Sequence, residues 1–187
     1  VSVVDDEGRN IFDHDGDGPS ERLRAAVGGC LETMPDAQAV FAPHMNSYRR
    51  FQPLSFAPSA PDWGFDNRAA GVRLPEVKGP AARLEHRIAG ADVNPYLALT
   101  AILGGILYGL DNAPDLPLPL DDPNATPAPR LTDDWRKAVR SFASSPFITD
   151  LFGARYQEVY AKVREDEIAQ LTTEISQIEY RTYLGRL

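Results

Sequence analysis

Apolar and polar positions follow two rhythms along this chain, and the change from one to the other predicts most of its elements. The run VSVV (1–4) is strand-like; Asp5-Asp6-Glu7-Gly8 supplies turn chemistry, and residues 8–12 can return as a hairpin partner. A helical period begins at Pro19-Ser20 and continues to about Met34, with Leu23, Ala26, Val27, Cys30 and Leu31 on one face packed as core. Within it Gly28-Gly29 lowers helix propensity and admits close packing. Pro35 ends this helix, and a short second piece reaches Phe41. The proline-rich stretch from Ala42 to Pro61 predicts an irregular loop. Trp63 to Asn67 then predicts a tight aromatic turn, followed by a strand over 68–74, a connecting turn over 76–80 and a second strand over 83–88. On that second strand a period of two places Arg83, Glu85 and Arg87 on one face.

Asn94 as N-cap and Pro95 in the first turn open the longest apolar run, YLALTAILGGILYGL. It is shorter than the about twenty apolar residues that a membrane span takes, so a helix lying on the sheet is expected. The Gly105-xxx-Gly109 pair has a membrane meaning only in a longer segment. From Asp111 to Arg130 the chain is rich in Pro and Asp without periodicity, a length of loop that points to function or mobility. Thr132 is read as the cap of a helix to Ala143, Ser145-Pro146 as the start of another ending near Gly153. A final helix is expected over 154–183, with Tyr156, Val159, Tyr160, Val163, Leu171, Ile175 and Ile178 near helical spacing.

Composition narrows the class. A chain of 187 residues is enough for one domain with a sizeable core. A formal net charge of −8 speaks against nucleic acid as a partner, although the arginines crowd the centre of the chain and leave room for a local anion site. The single cysteine, Cys30, excludes an intrachain disulfide framework and a Cys-rich zinc site. With no charged region ahead of an apolar leader and no membrane span, a cytoplasmic protein is expected. Asp13 to Gly18 begins like an EF-hand loop, but the twelfth position, where a bidentate Glu is required, is Arg24.

The candidate chemistry lies between Asn46 and Arg87. Arg50, Arg68, Arg73, Arg83 and Arg87 all fall there among Gly, Pro, Asn and aromatic residues. Converging guanidinium groups suit a ligand that carries carboxylate and phosphate together. A transferring phosphoryl group needs positive charge about its oxygens more than covalent chemistry. Glu85 is a hard oxygen ligand of the kind Mg²⁺ or Mn²⁺ takes, though one carboxylate does not make a metal site. The plainer reading of the same residues is a solvated strand face with ion pairs worth little to stability.

Three ordered segments, NSYRR (46–50), DNRAAGVRLP (66–75) and RLEHRIAGADVNPYLAL (83–99), resemble the second half of the catalytic domain of the glutamine synthetase family. The resemblance implies an α+β fold, part of that catalytic domain, with an antiparallel sheet, packed helices and a long C-terminal helix. Residues 1–187 would be its C-terminal portion, with the N-terminal part of the domain, two histidines and the other metal carboxylates lying upstream of Val1. It implies ATP and Mg²⁺ or Mn²⁺ as cofactors, glutamate and an amine as substrates, and a homo-oligomeric ring for the intact protein. By motif position Arg50 and Arg87 resemble glutamate contacts, Arg68 the residue that stabilises the transferring phosphoryl group, and Arg73, Arg83 and Ser2 nucleotide contacts. Glu85 resembles a ligand of one divalent metal. The isolated chain is expected to be inactive.

One position departs from the pattern. Where ammonia-using members carry a Glu that binds and deprotonates ammonium, this chain has Phe56, in LSFAP (54–58). The loop is similar to that of members that ligate glutamate to larger amines, as γ-glutamylputrescine synthetases do. Ligation of an amine to the γ-carboxylate of glutamate is therefore the first expectation. Glutamine synthesis from ammonia with a relocated base, and a catalytically silent structural or regulatory relative, are the alternatives.

Overall fold

Every residue of the chain except Pro53, Leu54, Phe56 and Leu187 is described by the computed structural model. Its elements are α1 (Glu21–Thr33), α2 (Gln38–Phe41), a 3-10 helix (Met45–Phe51), β1 (Trp63–Phe65), β2 (Val72–Glu76), β3 (Arg83–His86), α3 (Pro95–Asn112), α4 (Trp135–Ser144), α5 (Pro146–Phe152), α6 (Ala154–Thr173) and α7 (Gln177–Tyr183). The class is α+β, as the sequence implies, and the sheet is small and mixed. β2 and β3 pair antiparallel, whereas β1 and β2 pair in parallel, Trp63 opposite Val72 and Phe65 opposite Leu74. A parallel pair cannot be closed by a tight hairpin. Here the chain instead loops through residues 66–71 and re-enters beside its own start.

Several boundaries differ from the sequence reading for local reasons. Trp63–Phe65, read as a turn, is a strand, and Arg68, read as strand, sits in the turn that follows it. Asp66 is the residue that reverses the chain, at φ 46°, a left-handed conformation that Asp adopts more readily than most residues. The NSYRR segment lies in the 3-10 helix rather than in irregular loop. The cap of α4 is Asp134, whose side chain accepts the Arg136 N–H, while Thr132 accepts the Asp134 N–H one turn earlier. The long terminal helix is two helices: Glu174 is extended, and Ser176 caps α7 afresh with Glu179 completing a capping box. The hairpin at the start is reduced to one bridge, Val4 to Asn10. The caps of α1 (Ser20), α3 (Asn94) and α5 (Ser145) stand where the sequence puts them.

The sheet is backed by α1, and α1 is crossed by α3. Val72, Leu74 and Leu84 from the sheet, with Ile88 just beyond β3, join Leu23, Val27 and Cys30 of α1 and its C-cap Met34 in one core. Between α1 and α3 the contact is backbone on backbone. A Cβ on Gly29 would overlap the Gly105 carbonyl oxygen, and one on Gly109 would overlap that of Ala25. The glycines that weaken both helices individually thus permit the approach that packs them. Around this pair, α4, α5 and α6 are tied by buried Gln157, which donates to the carbonyls of Phe142 (2.8 Å) and Ser145 (3.0 Å). No helix among the described residues is long and apolar enough to cross a membrane.

His86 ends β3 with its ring against Phe41, centroids 4.3 Å apart. The residue keeps some surface, but its Nδ1 is enclosed without a partner among the described residues. Burial pushes its pKa down from 6.5 to about 4.

Two expectations follow from this packing. Gly109→Ala would gain about 1 kcal/mol of helix propensity at an exposed site. Here it meets the Ala25 backbone, which has no rotamer to yield, and overpacking of that kind costs about 1–3 kcal/mol or more. Urea unfolding should show a net loss. For His86, the unfolded chain takes up a proton below pH 6.5 that the folded chain refuses until about pH 4. Stability is therefore intact above 6.5 and falls as pH falls, by about 2 kcal/mol at pH 5. His86→Leu should remove that part of the difference between unfolding curves at pH 7.5 and pH 5.

Candidate active site

The β2–β3 ladder sets Arg73 directly opposite Glu85. Arg73 Nη1 donates to Glu85 Oε2 at 2.7 Å, and Nη2 donates to the Asp66 carboxylate. Asp66 is brought there by its left-handed backbone and by its N–H, which donates to the Leu74 carbonyl at 3.0 Å. The guanidinium thus lies in a clamp of two carboxylates. Its pKa is raised, first by the Glu85 contact and then by the Asp66 contact. Its Nε is enclosed and unspent among the described residues.

Glu85, expected as a metal ligand, is engaged by Arg73 in the cross-strand ion pair of the plainer reading. Among the described residues no group of three or more His, Cys, Asp or Glu side chains converges. A hard divalent ion takes about six oxygen ligands, so the residues present do not by themselves fit a metal.

Arg68 and Arg87 come together. Arg87 follows β3 and extends its pairing, its N–H donating to the Gly71 carbonyl at 2.9 Å, which places it beside the turn that carries Arg68. The two side chains line a pocket of about 370 Å³ with Ala69, Ala57 and Pro58. Arg87 is half-buried with its Nε enclosed, and Arg68 is exposed. Phe56 lies outside the described residues, but Ala57 and Pro58, which follow it, form a wall of this pocket.

Arg50 is anchored on the loop that follows β3. Its Nη2 donates to the Ile88 carbonyl at 3.0 Å, its guanidinium lies 5.3 Å from the Phe51 ring centroid, and its Nε is enclosed. Gly90 leaves the room for this, since a Cβ there would stand 2.8 Å from Arg50 Nη2. The 3-10 helix is fastened to that loop by Ser47, whose Oγ donates to Asp92 at 2.5 Å. Arg83 donates to the Ala81 carbonyl at 3.0 Å and stays apart from the Arg68–Arg87 pocket. Ser2 is exposed next to Val1, which exchanges backbone hydrogen bonds with Leu84 of β3.

The sequence motifs therefore name the arginines and Glu85, but give no role to Asp66, which holds Arg73, or to Asp92, which holds Ser47. Asp66 and Asp92 lie inside the quoted segments but follow no pattern of their own; a polar residue ahead of a turn, as at Asp66, is the sole signal that marks either. A larger depression of about 580 Å³ lies between α1, α3 and α5, but Glu32, Asp36, Asp111 and Asp150 line it. Its charge is the wrong sign for phosphate or carboxylate.

The family model for the glutamine synthetase catalytic domain matches residues 1–183. The chain is 34% identical to the gamma-glutamylputrescine synthetase of Escherichia coli over 185 residues, covering 96% of this chain and 38% of that protein. It is 33% identical to the gamma-glutamylethanolamide synthetase of Streptomyces coelicolor, covering 100% of this chain and 40% of that protein. The glutamine synthetase of Halobacterium salinarum matches at 32% identity, over 100% of this chain and 43% of its own length. The solved GmaS–ADP complex superposes with a TM-score of 0.86 at 29% identity, over 98% of this chain and 44% of that one. The chain thus spans about two fifths of the length of the curated relatives it matches. On the match over residues 1–183 and the arginine motifs now placed in space, this chain belongs to the glutamine synthetase family.

Proposed function

We propose that the whole protein is an ATP-dependent ligase that joins an amine to the γ-carboxylate of glutamate, and that this chain supplies the arginine-bearing, C-terminal part of its catalytic domain. The observation that carries the reading is the Arg68–Arg87 pocket, two arginines lining one cavity with Ala57 and Pro58, which follow Phe56 in the chain. In this reading a γ-carboxylate oxygen of glutamate attacks the terminal phosphorus of ATP and ADP leaves. The amine nitrogen then attacks the acyl carbon, phosphate departs with the bonding electrons, and the nitrogen gives up its proton. Arg68 faces the phosphoryl oxygens as charge builds on them, and Arg87 and Arg50 hold the glutamate carboxylates. Arg73, fixed between Asp66 and Glu85, attends the nucleotide phosphates together with Arg83 and Ser2. Mg²⁺ or Mn²⁺ would neutralise the phosphate charge. Glu85, still paired with Arg73, would contribute one ligand, and further ligands would be needed beside it. A homo-oligomeric ring in the cytoplasm is the proposed assembly. Exposed Tyr96, Leu99, Leu103 and Leu107 on the outer face of α3 are consistent with burial against further protein.

The choice of amine rests on Phe56. Ammonium is small and strongly hydrated, and a site that strips its water must return an anion. A phenyl ring cannot do so, whereas the alkyl tail of a larger amine gains about 25 cal/mol per Å² of apolar surface buried against it.

Phosphate release by the whole protein with glutamate, ATP and a panel of amines tests the reading. Release is expected with an alkyl amine or polyamine in preference to ammonium, and Phe56→Glu should shift the preference toward ammonium. Equal efficiency with ammonium would favour glutamine synthesis; no release with any amine would sink the proposal. Arg68→Ala should lower kcat by roughly 10²–10³, because a preorganised charge acts mainly in the transition state. Arg50→Ala should instead raise the KM for glutamate, since a carboxylate clamp also binds the ground state. Steady-state kinetics separate the two.

A further inference from the structure

The Pro- and Asp-rich segment between α3 and α4 has no part in the reading above, yet it is fastened to β1. Trp63 Nε1 donates to the Pro117 carbonyl at 2.8 Å, and the Leu120 N–H donates to the Trp63 carbonyl at 2.7 Å. The next residue, Asp121, turns its carboxylate onto the end of the strand. Oδ2 accepts the Phe65 N–H at 3.0 Å and Oδ1 accepts Asn67 Nδ2 at 2.6 Å. The side-chain oxygen of Asn67 in turn accepts the Ala69 N–H at 2.9 Å. The bonds run from Asp121 through Asn67 to Ala69, on both sides of Arg68. Gly64 makes room for them, since a Cβ there would stand 2.7 Å from Asp121 Oδ2 and 2.9 Å from Asn67 Cβ.

We propose that Asp121 is a positioning residue, holding the Phe65–Ala69 turn so that Arg68 is presented to the pocket it shares with Arg87. This rests on the reading of Arg68 as the group that stabilises the transferring phosphoryl. An exposed arginine on a free turn would sample many placements. Two charge-assisted hydrogen bonds from a neighbouring loop hold the backbone on which it stands and so narrow them. Small misplacements of a catalytic charge are costly in rate and cheap in stability. Asp121 is itself exposed, so removing its charge leaves no buried group unpaired.

The test uses the whole protein. In Asp121→Asn one of the two bonds is lost, because either orientation of the new amide sets a donor against a donor. Amide hydrogen exchange at Phe65 and Ala69 should quicken several-fold while the unfolding midpoint stays put. The kcat for amine-dependent phosphate release should fall roughly tenfold, with the KM for ATP nearly unchanged. Pairing Asp121→Asn with Asn67→Asp restores a donor facing an acceptor, so the double variant should exceed the product of the two single losses. Unchanged exchange in Asp121→Asn overturns the proposal, as does faster exchange with undiminished kcat or a double variant that is merely multiplicative. If the wild-type protein releases no phosphate with any amine, the functional reading falls, and the exchange measurement alone decides the role of Asp121.

Discussion

Three strands of three, five and four residues make a sheet too small to stand alone, and everything at the candidate site depends on what holds it. That support is one-sided. Val72, Leu74 and Leu84 point into a core floored by α1, leaving the alternate positions Arg73, Glu85 and Arg83 on the other face. Because the side-chain period is two, a slip of one residue in β3 would turn Glu85 inward and Leu84 out. The apolar side of the ladder therefore fixes where the charges stand. That floor is itself backed by α3, which glycines on both helices allow to lie backbone against backbone on α1.

The chain carries a net charge of −8, yet its site is cationic, and the structure shows how the two coexist. Each arginine is accompanied according to its place. Arg73 is clamped between carboxylates, Arg50 and Arg83 rest on backbone carbonyls, and Arg68 and Arg87 face a pocket. The last arrangement leaves positive charge facing a cavity; the first shares it with two carboxylates. Ranking the arginines by what already holds them separates those that line a cavity from those already bonded to the protein. A count of arginines in the sequence cannot make that separation.

Helices declared themselves in the sequence through their caps. Ser20, Asn94 and Ser145 each stand ahead of a periodic run and do accept the first-turn N–H groups. The sheet was less legible. Trp63–Phe65 is too short to show a period, and its parallel partner β2 lies across a turn whose sharpness comes from one left-handed residue, Asp66. Tyr156 through Ile178 keeps helical spacing across the break at Glu174, yet most of these side chains are exposed and the buried positions of α6 are Gln157, Ala161 and Ile168, so the apolar period marked neither the packed face nor the break. Around the candidate site, motif order named Arg50, Arg68 and Arg87, while the bonds made by Asp66, Asp92 and Asp121 stayed hidden. Each acts on a residue brought near by folding, 7 positions away for Asp66 and Arg73, 45 for Asp92 and Ser47, and 54 for Asp121 and Asn67.

The long loop shows the same limit from the other side. Its sequence, without periodicity and dense in proline, is equally that of a mobile linker and of a fitted strap. Proline fixes φ and removes donors, so such a segment makes few hydrogen bonds of its own. The carbonyls it keeps and the few N–H groups left to it must be matched elsewhere. Here they are matched at Trp63 by Pro117 and Leu120, and at Ser59 by the Leu131 N–H. Arg130 completes the attachment by donating to the Phe51 carbonyl at 2.9 Å. The strap is thereby fixed at the 3-10 helix that carries Arg50 and at the strand that leads to Arg68. Two of the arginines the motifs singled out are braced by one segment that carries no motif, so the spacing between them depends on the length and stiffness of that segment as well as on the sheet.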